Sequence, residues 1–367
     1  PNNKPRQIPM ITTHEQKTQN DFSIGWITLN LPKTLNALTL DMVTAAQAQL
    51  REWADRPDIA CVVLQGEGRA FCAGGDVRRM REGILANDDY CERFFEHEYR
   101  LDHALHKYPK PVLAWGHGVV MGGGLGLLMG ASHRVVTGST RLAMPEISIG
   151  LYPDVGASSF LNQLPRGLGL FLGITGCEWN GADALALGMA DYLLDDNSQH
   201  TLPDLLAVQN WTTNAIGNHD VLSHILKQQP SAKIAPQLMP YADLIANACH
   251  GTLQQVATAL STLRIDEAWF ERALSNLTHG CPVTAHIVAE QLKRAQGLSL
   301  EDVFRMEWIV SIQCTRHPDF PEGVRAQLVD KDKQPRWVYS SIAAVPQTYV
   351  ENHFSLAGQA NPLHDLR

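Results

Sequence analysis

The stretch Ile59 to Asp76, IACVVLQGEGRAFCAGGD, decides the fold class that this sequence predicts. It begins with the apolar run Ile59–Gln65, which predicts a buried strand, and it ends in the glycine turn Cys72–Asp76. Upstream of it, the run Ser23–Leu29 predicts another strand, and apolar residues at helical spacing predict a helix from about Thr39. A strand, a helix and a second strand thus lead into a glycine turn.

The same succession of elements recurs further along the chain. Tyr90–His106 predicts a helix, Pro111–Trp115 a short strand, Met121–Gly130 a glycine-rich helix start and Arg134–Thr137 another strand. The helix start contains the second glycine turn, Gly122-Gly123-Gly124. Because strands alternate with helices and glycine turns follow strand ends, we predict an α/β fold whose ligand binds at that edge of the sheet.

The C-terminal part of the chain has a different pattern. Beyond about Leu202 no strand-like run remains, and the apolar periodicity predicts mostly helices. The predicted helices are Leu205–Ile216, Val221–Lys227, Ala242–Leu263, Ile265–Leu274, Val283–Ala295 and Leu300–Thr315. We therefore expect four segments, which are a poorly ordered leader or tail at 1–20, an α/β core with the active site at 21–204, a helical C-terminal region at 205–357 and a tail at 358–367.

Composition and charge exclude several classes of function. The 367 residues carry a net charge of -8 and no run of Lys or Arg, which argues against nucleic-acid binding. The seven cysteines are scattered without CxxC spacing, so neither a disulfide framework nor a metal site is expected. No apolar run approaches the roughly 20 residues that span a bilayer, so no membrane association is expected. A reducing compartment follows, either a bacterial cytosol or a mitochondrial matrix.

The two glycine turns suit the chemistry of a thioester carbonyl. Such chemistry needs two backbone N–H donors aimed at the developing oxyanion, and a glycine lets the ligand approach without a Cβ in the way. Each turn could supply one donor, and the second turn also opens a predicted helix, whose N-terminus favours negative charge. A glycine cluster that stands alone is more often a tight turn or a close helix crossing, so the pattern leaves both interpretations open.

Two acidic residues follow the second glycine turn. Glu146 comes directly after Pro145, where a carboxylate is often a helix cap, and Asp154 lies in a turn-like run. They are eight positions apart and are joined through a glycine and a proline, so both could converge on one pocket with different pKa values. Acid–base and nucleophilic catalysis require such a pair. Glu98, in a predicted helix, would ordinarily be a solvated residue.

Several longer runs carry a family resemblance. Leu29–Leu38, Phe71–Val77 and Gly116–Gly124 together resemble the enoyl-CoA hydratase/isomerase, or crotonase, superfamily. The runs Ala143–Gly156 and Asp319–Asp332 resemble the 3-hydroxyisobutyryl-CoA hydrolase branch of that superfamily. The similarity extends over about 22–354, apart from a poorly matched segment near 197–240, and implies a crotonase-type spiral of ββα units with a mostly helical C-terminal region.

The resemblance implies roles for individual residues. In that superfamily the oxyanion donors are the residue before the Asp of the first turn and the middle glycine of the second, which here are Gly75 and Gly123. A hydratase carries one catalytic Glu three residues after that middle glycine, where this chain has Gly126, and another that corresponds to Glu146. Where a hydratase has a glycine, this chain has Asp154, as the hydrolase branch does.

By the same resemblance, further residues contact the ligand. The substrate-binding residues are Glu98, Gly123, Glu146 and Asp154, and the residues along the coenzyme A site are Lys33, Leu35, Ala73, Asp76 and Val77. Glu146 and Asp154 would be the catalytic residues. No cofactor is expected because coenzyme A belongs to the substrate, and the partners expected are this acyl-CoA and further copies of the same chain.

The resemblance implies, as the expected function, hydrolysis of 3-hydroxyisobutyryl-CoA, or a similar short β-hydroxyacyl-CoA, to the free hydroxy acid and coenzyme A in valine breakdown. An enoyl-CoA hydratase or isomerase is the first alternative, and the isomerase is less affected by Gly126 because one base can shuttle a proton. A non-catalytic acyl-CoA-binding protein is the second alternative. The presence of both Glu146 and Asp154 favours an enzyme.

Overall fold

Two β-sheets form the centre of the protein in the computed structural model, which describes residues 9–367. The strands are β1 (Ile11–Lys17), β2 (Ser23–Leu29), β3 (Ile59–Gly66), β4 (Ala70–Cys72), β5 (Val112–Gly116), β6 (Val119–Met121), β7 (His133–Thr137), β8 (Arg141–Ala143), β9 (Trp179–Asn180) and β10 (Tyr192–Leu194). The larger sheet has the order β1-β2-β3-β5-β7-β10, and the smaller has the order β4-β6-β8-β9. Neighbouring strands are parallel except in the pairs β1–β2 and β8–β9.

Helices surround these sheets and dominate the C-terminal part. They are α1 (Leu40–Ala54), α2 (Val77–Ala86), α3 (Tyr90–His106), α4 (Gly123–Gly130), α5 (Ala157–Phe160), α6 (Leu168–Thr175), α7 (Gly181–Ala186), α8 (Ser198–Ala207), α9 (Ala215–Lys227), α10 (Ala242–Ala248), α11 (Leu253–Thr262), α12 (Ala268–His279), α13 (Pro282–Arg294), α14 (Leu300–Arg316), α15 (Asp319–Val324) and α16 (Gln347–Asn352). Short 3-10 helices lie at Pro32–Thr34, Glu146–Ile149, Met239–Tyr241, Ile342–Ala344 and Pro362–Asp365, and Arg325–Val329 is a π-helical turn. In the described part of the chain, no helix has the length and apolar character needed to cross a membrane.

The chain repeats one unit around the two sheets. In each of the pairs β3–β4, β5–β6 and β7–β8, the first strand joins the larger sheet and the second joins the smaller one. A helix follows each pair, namely α2, α4 and the 3-10 helix Glu146–Ile149. Because β4, β6 and β8 are parallel neighbours, the three segments that follow them start at the same edge of the smaller sheet. The predicted α/β fold with ββα units is therefore confirmed.

The N-terminal expectation was wrong for part of its range. Residues 1–20 were expected to be poorly ordered, yet Ile11–Lys17 forms β1, which pairs with β2 antiparallel along its whole length. Trp53 Nε1 in α1 also donates a hydrogen bond to Glu15 Oε1 at 2.9 Å. The sequence of β1 lacks an apolar alternation because it is an edge strand whose residues are mostly exposed or half-buried. Residues 1–8 lie outside the described part.

Two of the predicted C-terminal helices were wrong as continuous elements. The predicted helix Leu205–Ile216 is interrupted between α8 and α9, where the buried Trp211 donates its Nε1–H to Leu206 O at 2.7 Å. The predicted helix Ala242–Leu263 is divided into α10 and α11 at Gly251, whose φ of +90° ends the helical path. Met121, predicted as part of a helix start, instead ends β6. In both interrupted helices the helical spacing of apolar residues continued across the break, so the sequence did not indicate it.

The expected segment boundaries also need correction. The boundary at residue 204 falls within α8, and one apolar core includes both Leu50 of α1 and Phe304 of α14. The last ten residues are not a loose tail, because Leu363 is fully buried and its 3-10 helix packs against α3 and α14. Arg305 Nη2 donates to Leu366 O at 2.6 Å. The helical region is thus built onto the sheets as part of one structure.

Replacing Leu363 with alanine tests this attachment. Leu363→Ala removes a fully buried side chain and leaves a cavity, so we expect the free energy of unfolding to fall by about 2–4 kcal/mol. Urea denaturation followed by circular dichroism measures the change, and His364→Ala in the same 3-10 helix is the control because His364 is exposed. An unchanged midpoint for Leu363→Ala would show that the segment does not contribute to the core.

Candidate active site

One cavity brings the two glycine turns together with the acidic residues. It has a volume of about 730 Å³ and lies where β4, β6 and β8 end. All ten predicted site residues line it: Lys33, Leu35, Ala73, Gly75, Asp76, Val77, Glu98, Gly123, Glu146 and Asp154. The structure thus brings together all ten residues that were predicted to contact the ligand, while their individual roles remain predictions.

The two glycine turns contact each other through their backbones. Gly74 and Gly122 have positive φ angles of +113° and +51°, a region that other residues rarely adopt. A Cβ on Gly122 would lie 3.7 Å from Gly74 Cα and 3.1 Å from Glu146 Oε1. Any side chain at either position would therefore be strained, and at Gly122 it would also fill the space between the turns.

Two backbone N–H groups face the cavity without a local hydrogen-bond acceptor. Leu38 donates its N–H to Gly74 O at 2.7 Å and accepts from Asp76 N–H at 2.8 Å, so the intervening Gly75 directs its N–H to the opposite side. Gly123 is the first residue of α4, and its N–H has no acceptor within that helix. Across residues 9–367, neither N–H makes a hydrogen bond. Both are available to a carbonyl oxygen in the cavity.

Glu146 enters the cavity from the 3-10 helix that follows β8. Pro145 precedes it, and only 5% of Glu146 is exposed. Its Oε2 has no hydrogen-bond partner in the described part of the chain. Burial, together with the nearby charge of Asp154, raises the pKa of Glu146 well above its usual value. A carboxyl with this environment is a candidate for acid–base or nucleophilic chemistry.

Asp154 is the second buried carboxylate of the predicted pair, and it has a hydrogen-bond donor. Tyr99 Oη donates to Asp154 Oδ2 at 2.6 Å. Burial raises the pKa of Asp154 to about 6, and the Tyr99 hydrogen bond opposes that rise because it favours the charged form. At neutral pH, Asp154 is thus more readily ionised than Glu146.

Glu98 is buried, so the sequence-based expectation of a solvated position was wrong. It lies on α3 with 3% of its surface exposed, and a Cβ on Gly123 would overlap Glu98 Oε1. Burial is the largest cause that raises the pKa of Glu98 well above its usual value, followed by the charges of Asp154, Asp102 and Glu146. The glycine at 123 is therefore required for Glu98 to reach the second turn.

Asp102, which sequence reasoning missed, lies one helical turn after Glu98. It is fully buried, neither of its oxygens has a partner among the described residues, and burial raises its pKa well above the usual value. A Cβ on Gly126 would lie 3.0 Å from Asp102 Oδ2 and 2.6 Å from Val155 Cβ. The spacing of Glu98 and Asp102 could have shown that they share a helix face, but not that this face is buried.

The C-terminal region also contributes to the site, through Glu307 of α14. Glu307 Oε2 accepts Gly156 N–H at 2.7 Å, and Oε1 accepts Ser158 N–H at 3.0 Å. Burial raises the pKa of Glu307 to about 8, and these hydrogen bonds oppose the rise. The loop after Asp154 is thereby fastened to α14. The sequence contains no signal for this contact, since Glu307 is one of three acidic residues in the predicted helix.

The cavity is acidic inside and basic at its mouth. The buried lining residues include Glu98, Glu146 and Asp154, whereas the four lining cations are all exposed. These cations are Lys33, Arg69, Arg78 and Lys333. Only Lys33 was predicted from the sequence, since the other three lie beside the family motifs and not within them. Exposed cations at the mouth suit the phosphates of an anionic ligand.

The segments that carry the predicted coenzyme A residues are held by backbone contacts. Ala73 N–H donates to Leu35 O at 2.9 Å, and Asp76 caps α2 by accepting Arg79 N–H at 3.2 Å.

Among residues 9–367 there is no group of three or more His, Cys, Asp or Glu side chains placed to hold a metal ion. The expectation that neither a metal nor a cofactor takes part remains a prediction.

Comparison with known proteins shows sequence similarity over nearly the whole chain. A family model described as enoyl-CoA hydratase/isomerase matches residues 24–354. A protein of Xenopus tropicalis named 3-hydroxyisobutyryl-CoA hydrolase, mitochondrial, is 36% identical over 341 residues, which are 92% of this chain and 88% of that protein.

Two solved structures share the fold. A carnitinyl-CoA dehydratase from Mycobacterium thermoresistibile has a TM-score of 0.85 at 31% identity and covers 97% of this chain and 99% of its own. An enoyl-CoA hydratase from Rhodobacter sphaeroides has a TM-score of 0.83 at 31% identity, with coverages of 95% and 98%. The extent of the family match and of the curated similarity shows that this chain belongs to the enoyl-CoA hydratase/isomerase family.

Proposed function

We propose that this protein is a thioester hydrolase that converts 3-hydroxyisobutyryl-CoA, or a similar short β-hydroxyacyl-CoA, and water to the free hydroxy acid and coenzyme A. One observation carries the proposal within the family. Glu146 and Asp154 enter the same cavity, while Gly126 has no room for the second carboxylate of a hydratase. The similarity to relatives named 3-hydroxyisobutyryl-CoA hydrolase supports the same assignment.

The first step of the proposed reaction is polarisation of the thioester carbonyl. The substrate oxygen would accept hydrogen bonds from the N–H groups of Gly75 and Gly123, and both bonds would strengthen as the oxygen becomes an oxyanion. These donors belong to the backbone and are fixed before the substrate arrives. The loss of one such donor typically costs on the order of 100- to 1000-fold in rate.

Glu146 would then act on the carbonyl carbon in one of two ways. As a nucleophile, it would form a mixed anhydride while the C–S bond breaks and the coenzyme A thiolate takes up a proton, and water would next hydrolyse the anhydride. As a general base, it would take a proton from water while that water attacks, and the resulting intermediate would break its C–S bond and release the coenzyme A thiolate, which takes up the proton. Both routes need the ionised carboxylate. A substrate or water that enters the cavity would solvate Glu146 Oε2, the oxygen that has no partner within residues 9–367.

Asp154 would bind the hydroxyl group of the substrate, orient the attacking water or exchange protons with Glu146. Its pKa of about 6 leaves it ionised at neutral pH, so it can accept a hydrogen bond from either group. Glu98 lies against the second glycine turn and would contact the acyl part of the substrate. The exposed cations at the mouth would bind the phosphates of coenzyme A.

The alternatives differ in what they require of these carboxylates. A hydratase needs a second carboxylate near position 126, and the close approach of Gly126 to Val155 disfavours it. A non-catalytic acyl-CoA-binding protein has no use for Glu146 and Asp154 in a desolvated cavity, where burying ionisable groups is unfavourable.

We further propose a location and an assembly. Several relatives are named mitochondrial, which supports a mitochondrial matrix if the protein is eukaryotic, and a bacterial cytosol is the other proposal. Further copies of the same chain remain the proposed protein partner.

Replacing Glu146 with glutamine tests its chemical role. Glu146→Gln preserves the shape but removes the base and nucleophile, so thiol release from 3-hydroxyisobutyryl-CoA should fall by about 100- to 10,000-fold or more. Coenzyme A binding should be unchanged by calorimetry. Glu82→Gln, an exposed residue on α2, is the matched control. Near-normal turnover by Glu146→Gln would contradict the proposed role of Glu146.

The reaction type is tested with a panel of acyl-CoA substrates. The wild type should release thiol from 3-hydroxyisobutyryl-CoA. It should not convert crotonyl-CoA or a 3-enoyl-CoA, so the absorbance of the conjugated thioester should stay constant with either compound. Asp154→Gly restores the glycine of a hydratase, and we expect it to lose hydrolysis without gaining hydration, since position 126 still lacks a carboxylate. Turnover of crotonyl-CoA by either protein, with none of the hydroxyacyl substrate, would favour a hydratase.

Steric exclusion at position 126 gives a separate prediction. Gly126→Glu should unfold at lower urea concentration than the wild type, because its Cβ would lie 2.6 Å from Val155 Cβ within a packed interior. It should also fail to hydrate crotonyl-CoA. Gly297→Glu is the control, since a Cβ at that glycine would meet nothing within 4 Å, although its φ of +77° predicts a small strain of its own.

A further inference from the structure

A chain of buried hydroxyl groups leads from α14 to the active-site carboxylate Asp154. Tyr152 Oη donates to Glu307 O at 2.6 Å and lies 2.9 Å from Ser311 Oγ. Ser311 Oγ lies 2.6 Å from Tyr99 Oη, and Tyr99 Oη donates to Asp154 Oδ2 at 2.6 Å. Tyr99, Tyr152 and Ser311 are all fully buried. Nothing in the proposed catalytic steps explains why three hydroxyl groups are desolvated here.

The groups at the two ends of this series of hydroxyl groups limit which hydroxyl can donate and which can accept. A backbone carbonyl can only accept, so Tyr152 must donate to Glu307 O. When Asp154 is ionised, it likewise can only accept, and Tyr99 then donates to it. Ser311 is left to donate to one of the two tyrosine oxygens, and a bond to Tyr99 Oη would make Tyr99 a stronger donor. The arrangement therefore fits an ionised Asp154 with every hydroxyl group satisfied.

Apart from the Tyr99 hydroxyl and the backbone N–H of Asp154 itself, the surroundings of Asp154 disfavour its charge. The titratable groups near it are Glu98, Tyr99 and Asp102 on α3, Glu146 and Tyr152 on the segment after β8, and Glu307 and Cys314 on α14. All of them are acids, and only 4% of Asp154 is exposed. Among these groups, only the Tyr99 hydroxyl stabilises the charged form through a hydrogen bond to the Asp154 side chain.

We propose that Tyr99, held in place by Ser311, is a positioning residue that keeps Asp154 ionised and leaves Asp154 Oδ1 directed into the cavity. Asp154 Oδ2 is occupied by Tyr99, while Asp154 lines the cavity, so Oδ1 is the oxygen that can meet the substrate or water. The inference rests on the proposed function, because it assigns Asp154 the accepting role in that reaction. It also gives α14 a function in the active site.

Replacing Tyr99 with phenylalanine tests the proposal through the titration of Asp154. Infrared difference spectra over a pH series show protonated carboxyl groups, and the band that is missing from Asp154→Asn identifies Asp154. A donor to the charged form lowers the pKa, so its removal in Tyr99→Phe should move this titration to higher pH by about 1–2 units. Where the protein hydrolyses 3-hydroxyisobutyryl-CoA, the acidic limb of kcat should move in the same direction.

Tyr152→Phe is the matched control for Tyr99→Phe. It removes an equally buried hydroxyl group from the same series of hydroxyl groups, but this one does not contact Asp154. The titration of Asp154 should therefore not move, even if the stability of the protein falls. An unmoved titration in Tyr99→Phe, or an equal shift in Tyr152→Phe, would overturn the proposal. If Tyr99→Phe does not fold, Ser311→Ala takes its place, and it must give a smaller shift to higher pH.

The infrared titration needs no turnover, so the two proposals fail in different ways. A shift in Tyr99→Phe with no thiol release by the wild type would retain the positioning role and reject the hydrolase function. Thiol release by the wild type without any shift in Tyr99→Phe would retain the function and reject the positioning role.

Discussion

The contact between the backbones of Gly74 and Gly122 is the constraint on which the rest of the site depends. It follows from the repeat of the fold, because β4 and β6 are parallel neighbours and their glycine turns therefore begin at the same edge of the smaller sheet. With no Cβ on either residue, two backbone N–H groups from different segments can serve one oxygen. Glu146 follows the next parallel strand, β8, and therefore reaches the same place.

Around this contact the protein concentrates acidic side chains in a desolvated interior. Glu98, Asp102, Glu146, Asp154 and Glu307 are all buried, and burial favours the protonated form of each. Their differences arise from hydrogen bonds, which Asp154 and Glu307 receive and which Asp102 lacks. Neighbouring carboxyls of one cluster can therefore hold different protonation states at one pH.

The sequence predicted what is encoded locally. Glycine turns, strands of apolar residues and family motifs occupy short runs, so the fold class could be predicted, and the ten predicted site residues all line one cavity. The burial of Glu98 and Asp102 could not be predicted, because it depends on a helix packing against distant segments. The hydroxyl chain to Ser311 spans 212 positions and left no local pattern. The edge strand Ile11–Lys17 was missed for a similar reason, since its partner stabilises it while its own sequence is polar.

The close approach of Gly126 to Val155 has a consequence for how activities can diverge within this family. Val155 itself has a positive φ of 54°, an unusual conformation for a β-branched residue, and its Cβ is the atom that a side chain at position 126 would meet first. A lineage with this packing would have to reshape the loop after Asp154 before it could accept an acidic residue at 126. The packing thus restricts the order of substitutions, because a change at Val155 or in its loop has to come before an acidic residue at position 126.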